Sequence, residues 1–250
     1  MTKKMKIEVF KTDACGNTFS VIPFFEKNLI PKFNKQKFII SICKKLKTDG
    51  CVFLLADKTA DFKWDFYNSD GSKAEMCGNA SRAVTHLFSK KIKKKQKITF
   101  RSQLGLVQAN LSDERNPKVK MPYSVKLIKT TDLFAKINSG VPHCVVWAKP
   151  DKKMAAKLRK TENANVTFIS VRGKKVFAVT FERGVEDFTQ ACGTGAIAAA
   201  FACKLKNPQK RKIKIQMPGG NLAVHFTGKG DIPVLKGPAR IVKSLNYGFK

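Results

Sequence analysis

The sequence predicts an α+β protein built from two similar halves, and three observations carry that prediction. Short runs of alternating polar and apolar residues dominate the 250 positions; Lys212, Ile213, Lys214 and Ile215 show the period-2 mark of a half-buried strand. Residues 195–203 are apolar on every side, which suits a helix enclosed by sheet. A pattern also recurs. Phe66-Tyr67-Asn68 is followed, nine positions after the asparagine, by Cys77-Gly78-Asn79-Ala80, and 115 residues later Phe181-Glu182-Arg183 is followed at the same spacing by Cys192-Gly193-Thr194-Gly195.

Taken in order, strands are expected over residues 6–10 and 19–24. A helix follows, with Asn34 as its N-cap and Ile39, Ile42, Cys43 and Leu46 at i, i+3, i+4 and i+7. Strands at 51–56 and 62–67 lead to a second helix after Cys77, whose apolar stripe is Ala80, Ala83, Val84, Leu87 and Phe88. Further strands are expected at 97–101, 106–111, 144–148, 166–171 and 175–181, then the all-apolar helix, then strands at 212–217 and 222–226. Gly16-Asn17-Thr18-Phe19 and Gly140-Val141-Pro142-His143, each leading into an apolar strand, lie 124 residues apart. Two matched pairs in the same order imply a duplicated domain with pseudo-twofold symmetry, divided between Pro117 and Pro122.

Composition narrows the function. No apolar stretch approaches the roughly 20 residues of a membrane span, and Glu8, Lys11 and Asp13 interrupt what would be a signal peptide's apolar core. The seven cysteines are odd in number and scattered, without a Cys-x-x-Cys pair, and only three histidines could join them in a metal site. The expectation is reduced thiols in the cytoplasm and no metal. A formal net charge of +31 would fit a nucleic-acid partner, yet only eight of the 49 basic residues are arginine, the residue suited to base-edge and phosphate-fork recognition. Lysine runs at 90–97, 149–153 and 204–214 read as a solvated cationic surface.

The recurring Cys-Gly at a helix start carries the chemistry. A thiol there sits near unpaired N–H groups and the positive end of the helix dipole, which favours the thiolate. Duplication is expected to turn Cys77 and Cys192 toward each other across a domain cleft, one on each face of a small substrate. One sulfur then removes a proton from carbon while the other supplies one, inverting the centre without a cofactor. The N–H groups of Gly78, Asn79, Gly193 and Thr194 would hold the charge that moves onto a carboxylate. Cys15, Cys43, Cys51, Cys144 and Cys203 are expected only to pack.

These residues also carry a family resemblance. Gly16-Asn17-Thr18-Phe19, Asn68-Ser69-Asp70-Gly71-Ser72, Ala74-Glu75-Met76-Cys77-Gly78-Asn79, Pro142-His143-Cys144-Val145, Ala164-Asn165-Val166, Glu182-Arg183-Gly184 and Ala191-Cys192-Gly193-Thr194-Gly195-Ala196 resemble diaminopimelate epimerase, in the family's order and over nearly the whole chain. The resemblance implies two pseudo-symmetric domains, each a β-barrel-like mixed sheet wrapped around a central helix. These would span residues 1–120, completed by about 238–250, and 121–237. It implies cofactor-independent interconversion of LL- and meso-2,6-diaminopimelate in lysine and peptidoglycan synthesis, with Cys77 and Cys192 as base and acid. Gly78, Asn79, Gly193 and Thr194 become the carboxylate cradle; Asn17, Asn68, Asn165 and Arg183, with the backbone of Glu182, bind the substrate's amino groups and distal carboxylate; His143 and Glu182 tune the thiols. Arg supplies a bidentate fork and Asn both a donor and an acceptor.

The chain departs from the family pattern in four places. Val141 stands where the family has Asn, replacing a substrate-facing amide with an isopropyl group. Ala80-Ser81 replaces Gly-Ala and is expected to add a methyl near the mouth of the site. Lys243 stands where the family commonly has Tyr at its homodimer contact, and the family is not usually this basic. Two other readings follow: a racemase of another amino acid, such as histidine, on the same scaffold, which Val141 favours, and a cationic binding protein derived from it, which the charge favours.

Overall fold

The computed structural model describes residues 5–25, 35–173, 175–228 and 230–249. The chain divides into two compact units, residues 1–117 with 239–250 and residues 118–238.

The first unit is a mixed sheet with two crossover helices. β1 (Met5–Ala14) pairs antiparallel with β2 (Asn17–Phe24), and β2 runs parallel to β3 (Gly50–Leu55). Parallel neighbours need a crossover, and α1 (Lys35–Leu46) supplies it, burying Phe38, Ile39, Ile42, Cys43 and Leu46 against Ile7, Val9, Ile22, Cys51 and Phe53. The Asn34 cap lies outside the described residues. β3 turns back into β4 (Phe62–Asn68), which pairs with the two-residue β5 (Lys73–Ala74) and, in parallel, with β6 (Lys97–Ser102). α2 (Gly78–Leu87) makes the crossover from β5 to β6 and is buried at nine of its ten residues. β7 (Gly105–Asn110) follows β6, and Phe62 stacks on Phe100 at 5.0 Å beneath them.

The second unit repeats this order. β8 (Lys118–Lys120) enters it, and β9 (Lys126–Thr130) pairs with β10 (Phe134–Asn138). β10 pairs antiparallel with β11 (Pro142–Val146), which runs parallel to β12 (Asn165–Arg172) through the crossover helix α3 (Lys152–Thr161). β13 (Lys175–Glu182) turns back along β12, carries β14 (Asp187–Thr189), and lies parallel to β15 (Lys212–Met217) through α4 (Gly193–Lys206). β16 (Gly220–Thr227) and β17 (Ile232–Lys236) close the unit, with β17 pairing back to β8. β18 (Arg240–Phe249) then returns to the first unit along β1, as β9 lies along β10 in the second.

α4 is the helix the all-apolar run predicted. Residues 195–203 are all buried, and the helix touches β10, β11, β12, β13, β15, β16 and β17, so sheet surrounds it and no polar face remains. α2 is enclosed similarly, against β1, β2, β7 and β18.

Two readings need correction. The strand expected at 144–148 begins at Pro142, so His143 lies within the sheet; a proline is tolerated at the first residue of a strand, where its missing N–H breaks no ladder. α3 was not among the expected helices and begins within the lysine run at 149–153. It has only Ala155 and Leu158 buried, too narrow a stripe to show periodicity, and is started instead by Asp151, whose Oδ1 accepts the Met154 N–H at 2.8 Å.

Because Ala198 and Ala199 are wholly buried among these strands, Ala198→Leu must displace its neighbours. Urea unfolding should show a loss of about 1–3 kcal/mol, whereas a leucine at the exposed Lys157 of α3 should leave the midpoint nearly unchanged.

Candidate active site

In the first unit the loop after β5 delivers Cys77 to the N-cap of α2. Its backbone is extended (φ −146°, ψ 122°) and its Sγ accepts the Ala80 N–H at 3.5 Å. The first N–H groups of a helix have no partner within it, so sulfur here takes the place of the usual Ser or Asp oxygen. The Ser81 hydroxyl donates to the Cys77 carbonyl at 2.8 Å, and its N–H reaches the same oxygen at 2.9 Å, fixing the turn. Cys77 is half-buried, while Gly78 and Asn79 are buried behind it. Asn17 opens β2, and its Oδ1 is buried without a hydrogen-bond partner among the described residues. Asn68 closes β4 at the surface, with its Nδ2 donating to Ser72 Oγ at 2.9 Å.

The second unit builds the same cap. Cys192 precedes α4 with φ −117° and ψ 112°, and its Sγ accepts the Gly195 N–H at 3.4 Å. A Cβ at Gly195 would collide with the Thr180 hydroxyl, so this turn requires glycine. A chain of hydrogen bonds runs inward from the sulfur. Cys192 Sγ lies 3.4 Å from Thr194 Oγ1, which lies 2.9 Å from His143 Nε2; His143 Nδ1 is 2.9 Å from Thr167 Oγ1, and that is 3.0 Å from Thr180 Oγ1. The Ser139 hydroxyl holds the Thr194 carbonyl at 2.9 Å.

Around this chain, Asn165 donates to the Pro142 carbonyl at 3.2 Å and accepts the Arg183 N–H at 2.9 Å. Its amide thus sets the position of Arg183, whose exposed guanidinium makes, among the described residues, only long contacts of 3.5 and 3.4 Å, to the Asn163 carbonyl and Oδ1. Glu182 Oε1 accepts the Thr189 hydroxyl at 2.5 Å, tying the end of β13 to β14. Within this unit His143, Asn165, Thr194 and Cys192 form one bonded cluster, with Glu182 and Arg183 beside it at the end of β13.

Burial, and then the nearby Arg183 charge, lowers the His143 pKa from 6.5 to about 3. The imidazole is therefore neutral at working pH, donating at one nitrogen and accepting at the other. Burial pushes the Cys144 thiol up to about 12 and also raises Cys203, so neither acts as a base. Among the described residues no cluster of three or more His, Cys, Asp or Glu side chains could hold a metal, and no helix is long and apolar enough to cross a membrane.

A family model described as diaminopimelate epimerase matches residues 9–127 and 135–242. The chain belongs to the diaminopimelate epimerase family. A diaminopimelate epimerase from Campylobacter lari is 32% identical over 253 residues, covering 97% of this chain and 100% of the relative, and one from Helicobacter pylori is 31% identical with 96% of each covered. Two solved structures share the fold at much lower identity: the Bacillus anthracis phenazine biosynthesis protein of the PhzF family (TM-score 0.74, 15% identity, 98% and 100% covered) and a hydroxyproline epimerase from Agrobacterium vitis (TM-score 0.69, 15% identity, 100% and 94% covered).

Three features of this family member were not read from its sequence. The Ala80 methyl, expected near the mouth of the site, is wholly buried in the core. Thr167 and Thr180, the inner end of the Cys192 chain, are fully buried polar residues on strands; a threonine facing inward in a run such as Val166-Thr167-Phe168 was the signal. Arg82 is also wholly buried, and an arginine amid the apolar stripe of α2 was its signal.

The low His143 pKa has a consequence for stability. Between about pH 6.5 and 3 the unfolded chain binds a proton that the folded chain does not. This contribution is complete above 6.5 and is lost as the pH falls, at up to about 1.4 kcal/mol per pH unit. In His143→Gln that share of the slope should vanish, as measured by urea unfolding across the interval; an unchanged slope would place the proton elsewhere.

Proposed function

We propose that this protein epimerises 2,6-diaminopimelate between its LL and meso forms without a cofactor, with Cys77 and Cys192 delivering one sulfur to each face of the α-carbon. The observation that carries this reading is that both sulfurs cap a helix N-terminus in the same way, each accepting the N–H three residues on. Such a cap favours anionic sulfur and gathers N–H groups where a carboxylate can dock.

The chemistry balances without a co-reactant. One thiolate takes the α-hydrogen as a proton, and the C–H electron pair moves into the carboxylate, whose charge is held by the N–H groups of Gly78, Asn79, Gly193 and Thr194. The opposite thiol returns a proton to the other face as that electron pair re-forms a C–H bond. Each turnover exchanges the protonation states of the two sulfurs, and the reverse reaction restores them. Both sulfurs must be reduced, which suits the cytoplasm.

Asn17 and Arg183 supply the recognition. A buried acceptor without a partner costs about 1–3 kcal/mol, and the ammonium of an amino acid is the donor that would satisfy Asn17 Oδ1. The weakly held Arg183 fork suits a distal carboxylate. Asn165, with both ends of its amide engaged inside the protein, acts mainly by orienting Arg183. The half-buried Val141 favours a second reading, a racemase acting on a single amino acid. Assays of diaminopimelate isomers beside a panel of free amino acids separate the two, and faster turnover of any panel member would replace the first.

Cys77→Ser and Cys192→Ser should each lower kcat by at least about a hundredfold, and the product formed in D₂O should carry deuterium at the inverted carbon. Full activity in either variant would exclude the two-thiol mechanism. For Asn17→Ala the expectation is a KM raised about tenfold with a Tm equal to or above that of the parent, because the substitution removes an unpaired buried acceptor.

A further inference from the structure

Arg82 lies on α2 five residues beyond Cys77 and is wholly buried. Its Nη1 donates to Asn79 Oδ1 at 3.0 Å and its Nη2 lies 3.7 Å from Cys15 Sγ, while Nε is buried without a hydrogen-bond partner among the described residues. No carboxylate among the described residues pairs with it. Burial lowers the guanidinium pKa below its ordinary value, and the opposing influences are the sulfurs of Cys15 and Cys77. A buried cation without an anion is costly, so the identity of its counter-charge matters.

Cys15 is poorly suited to that role. It is 4% exposed, and burial raises its thiol pKa, an effect that Arg82 opposes and Asp13 reinforces. Cys77, half-buried at the N-cap of the helix that carries Arg82, is the other sulfur whose charge acts on the guanidinium. Of the other elements that contact α2, β2 and β7 carry no titratable side chain; β1 carries Lys6, Glu8, Lys11 and Asp13, β18 carries Arg240, Lys243 and Tyr247, and the helical turn at Phe88–Ile92 carries Lys90 and Lys91, while Arg240 Nη2 is 3.7 Å from Asp13 Oδ2.

We propose that Arg82 is the positioning residue of the Cys77 half of the site: its fork ties Asn79 to the Cys15 turn that carries Asn17, and its buried charge favours anionic sulfur at Cys77. The Cys15 turn is itself constrained, with Cys15 in the left-handed region at φ 63° and Gly16 at φ 82°. Arg82 thus joins the two segments that carry Cys77 and Asn17. Cys192 has a different support, the hydrogen-bonded chain through Thr194 to the neutral His143, with Glu182 and Arg183 at the end of β13 beside it, so the buried Arg82 charge is a feature of the Cys77 half alone. The assignment of these sulfurs to proton transfer rests on the reading proposed above.

The test is alkylation by iodoacetamide as a function of pH, with the Cys77 and Cys192 peptides followed separately by mass spectrometry. In Arg82→Met, Cys77 should react about tenfold more slowly at neutral pH, with its profile displaced to higher pH, while Cys192 stays within about twofold. Arg82→Gln, neutral but able to donate to Asn79, serves if Arg82→Met does not fold. Arg82→Lys should keep the Cys77 profile and raise KM, having the charge without the fork. An unchanged Cys77 profile in the neutral variants, or an equal displacement at both thiols, would overturn the proposal. A parent protein that alkylates as described yet epimerises nothing would overturn the proposed function and leave the role of Arg82 standing.

Discussion

The structure depends on one constraint: a helix buried on all sides must begin at a point where its first N–H groups still find partners. Helix termini leave four donors unsatisfied, and enclosing α2 or α4 in sheet deprives those donors of water. In both units the answer is a cysteine whose Sγ accepts the N–H three residues on. Sulfur is a weak acceptor as a thiol and a strong one as a thiolate, so the demand of the fold for a cap and the demand of the chemistry for an anion point the same way. Close packing at the same turn makes Gly195 obligatory through Thr180, whereas α2 accommodates Ala80 at the corresponding place because its methyl finds room in the core.

Legibility in the sequence followed the size of the burial signal. The alternation in residues 212–217, the stripe of α1 and the all-apolar α4 are strong patterns, and each marks the element it describes. β18 has no such alternation and is an outer strand of the first unit, with pairing to β1 as its register constraint. α3 buries only two residues and is defined by its Asp151 cap. β8 and β14 have three residues each, too few to show any period. Long-range backbone pairing, which leaves little trace in local composition, decides elements of this kind.

The same division holds at the site. The helix starts at Cys77 and Cys192 were readable because a cysteine recurred at a fixed spacing before glycine. What holds them was not readable, since support comes from residues distant in sequence. Thr167 and Thr180 are 13 residues apart and meet only because β12 and β13 pair. Cys15, read as mere packing, lies 67 residues from the Arg82 it contacts. Val141 lies between Ser139 and His143, which are both bonded to Thr194 and so fix where its side chain starts.

Duplication starts with two equal half-sites, and the divergence between them is informative for that reason. Where the second unit has buried a neutral imidazole between threonine hydroxyls, the first has buried a guanidinium against an amide and a sulfur. Neither substitution adds apolar packing, and each takes a polar group out of water, so core stability alone does not explain why both are kept. The reaction proposed above, with an acid on one face and a base on the other, would explain it. Two identical thiol environments would populate the doubly protonated and doubly ionised forms at the expense of the mixed form that alone can turn over. In the proposed mechanism, the buried Arg82 charge in the first unit and the neutral His143 behind Cys192 in the second separate the two affinities for a proton, and so raise the fraction of molecules in a mixed protonation state.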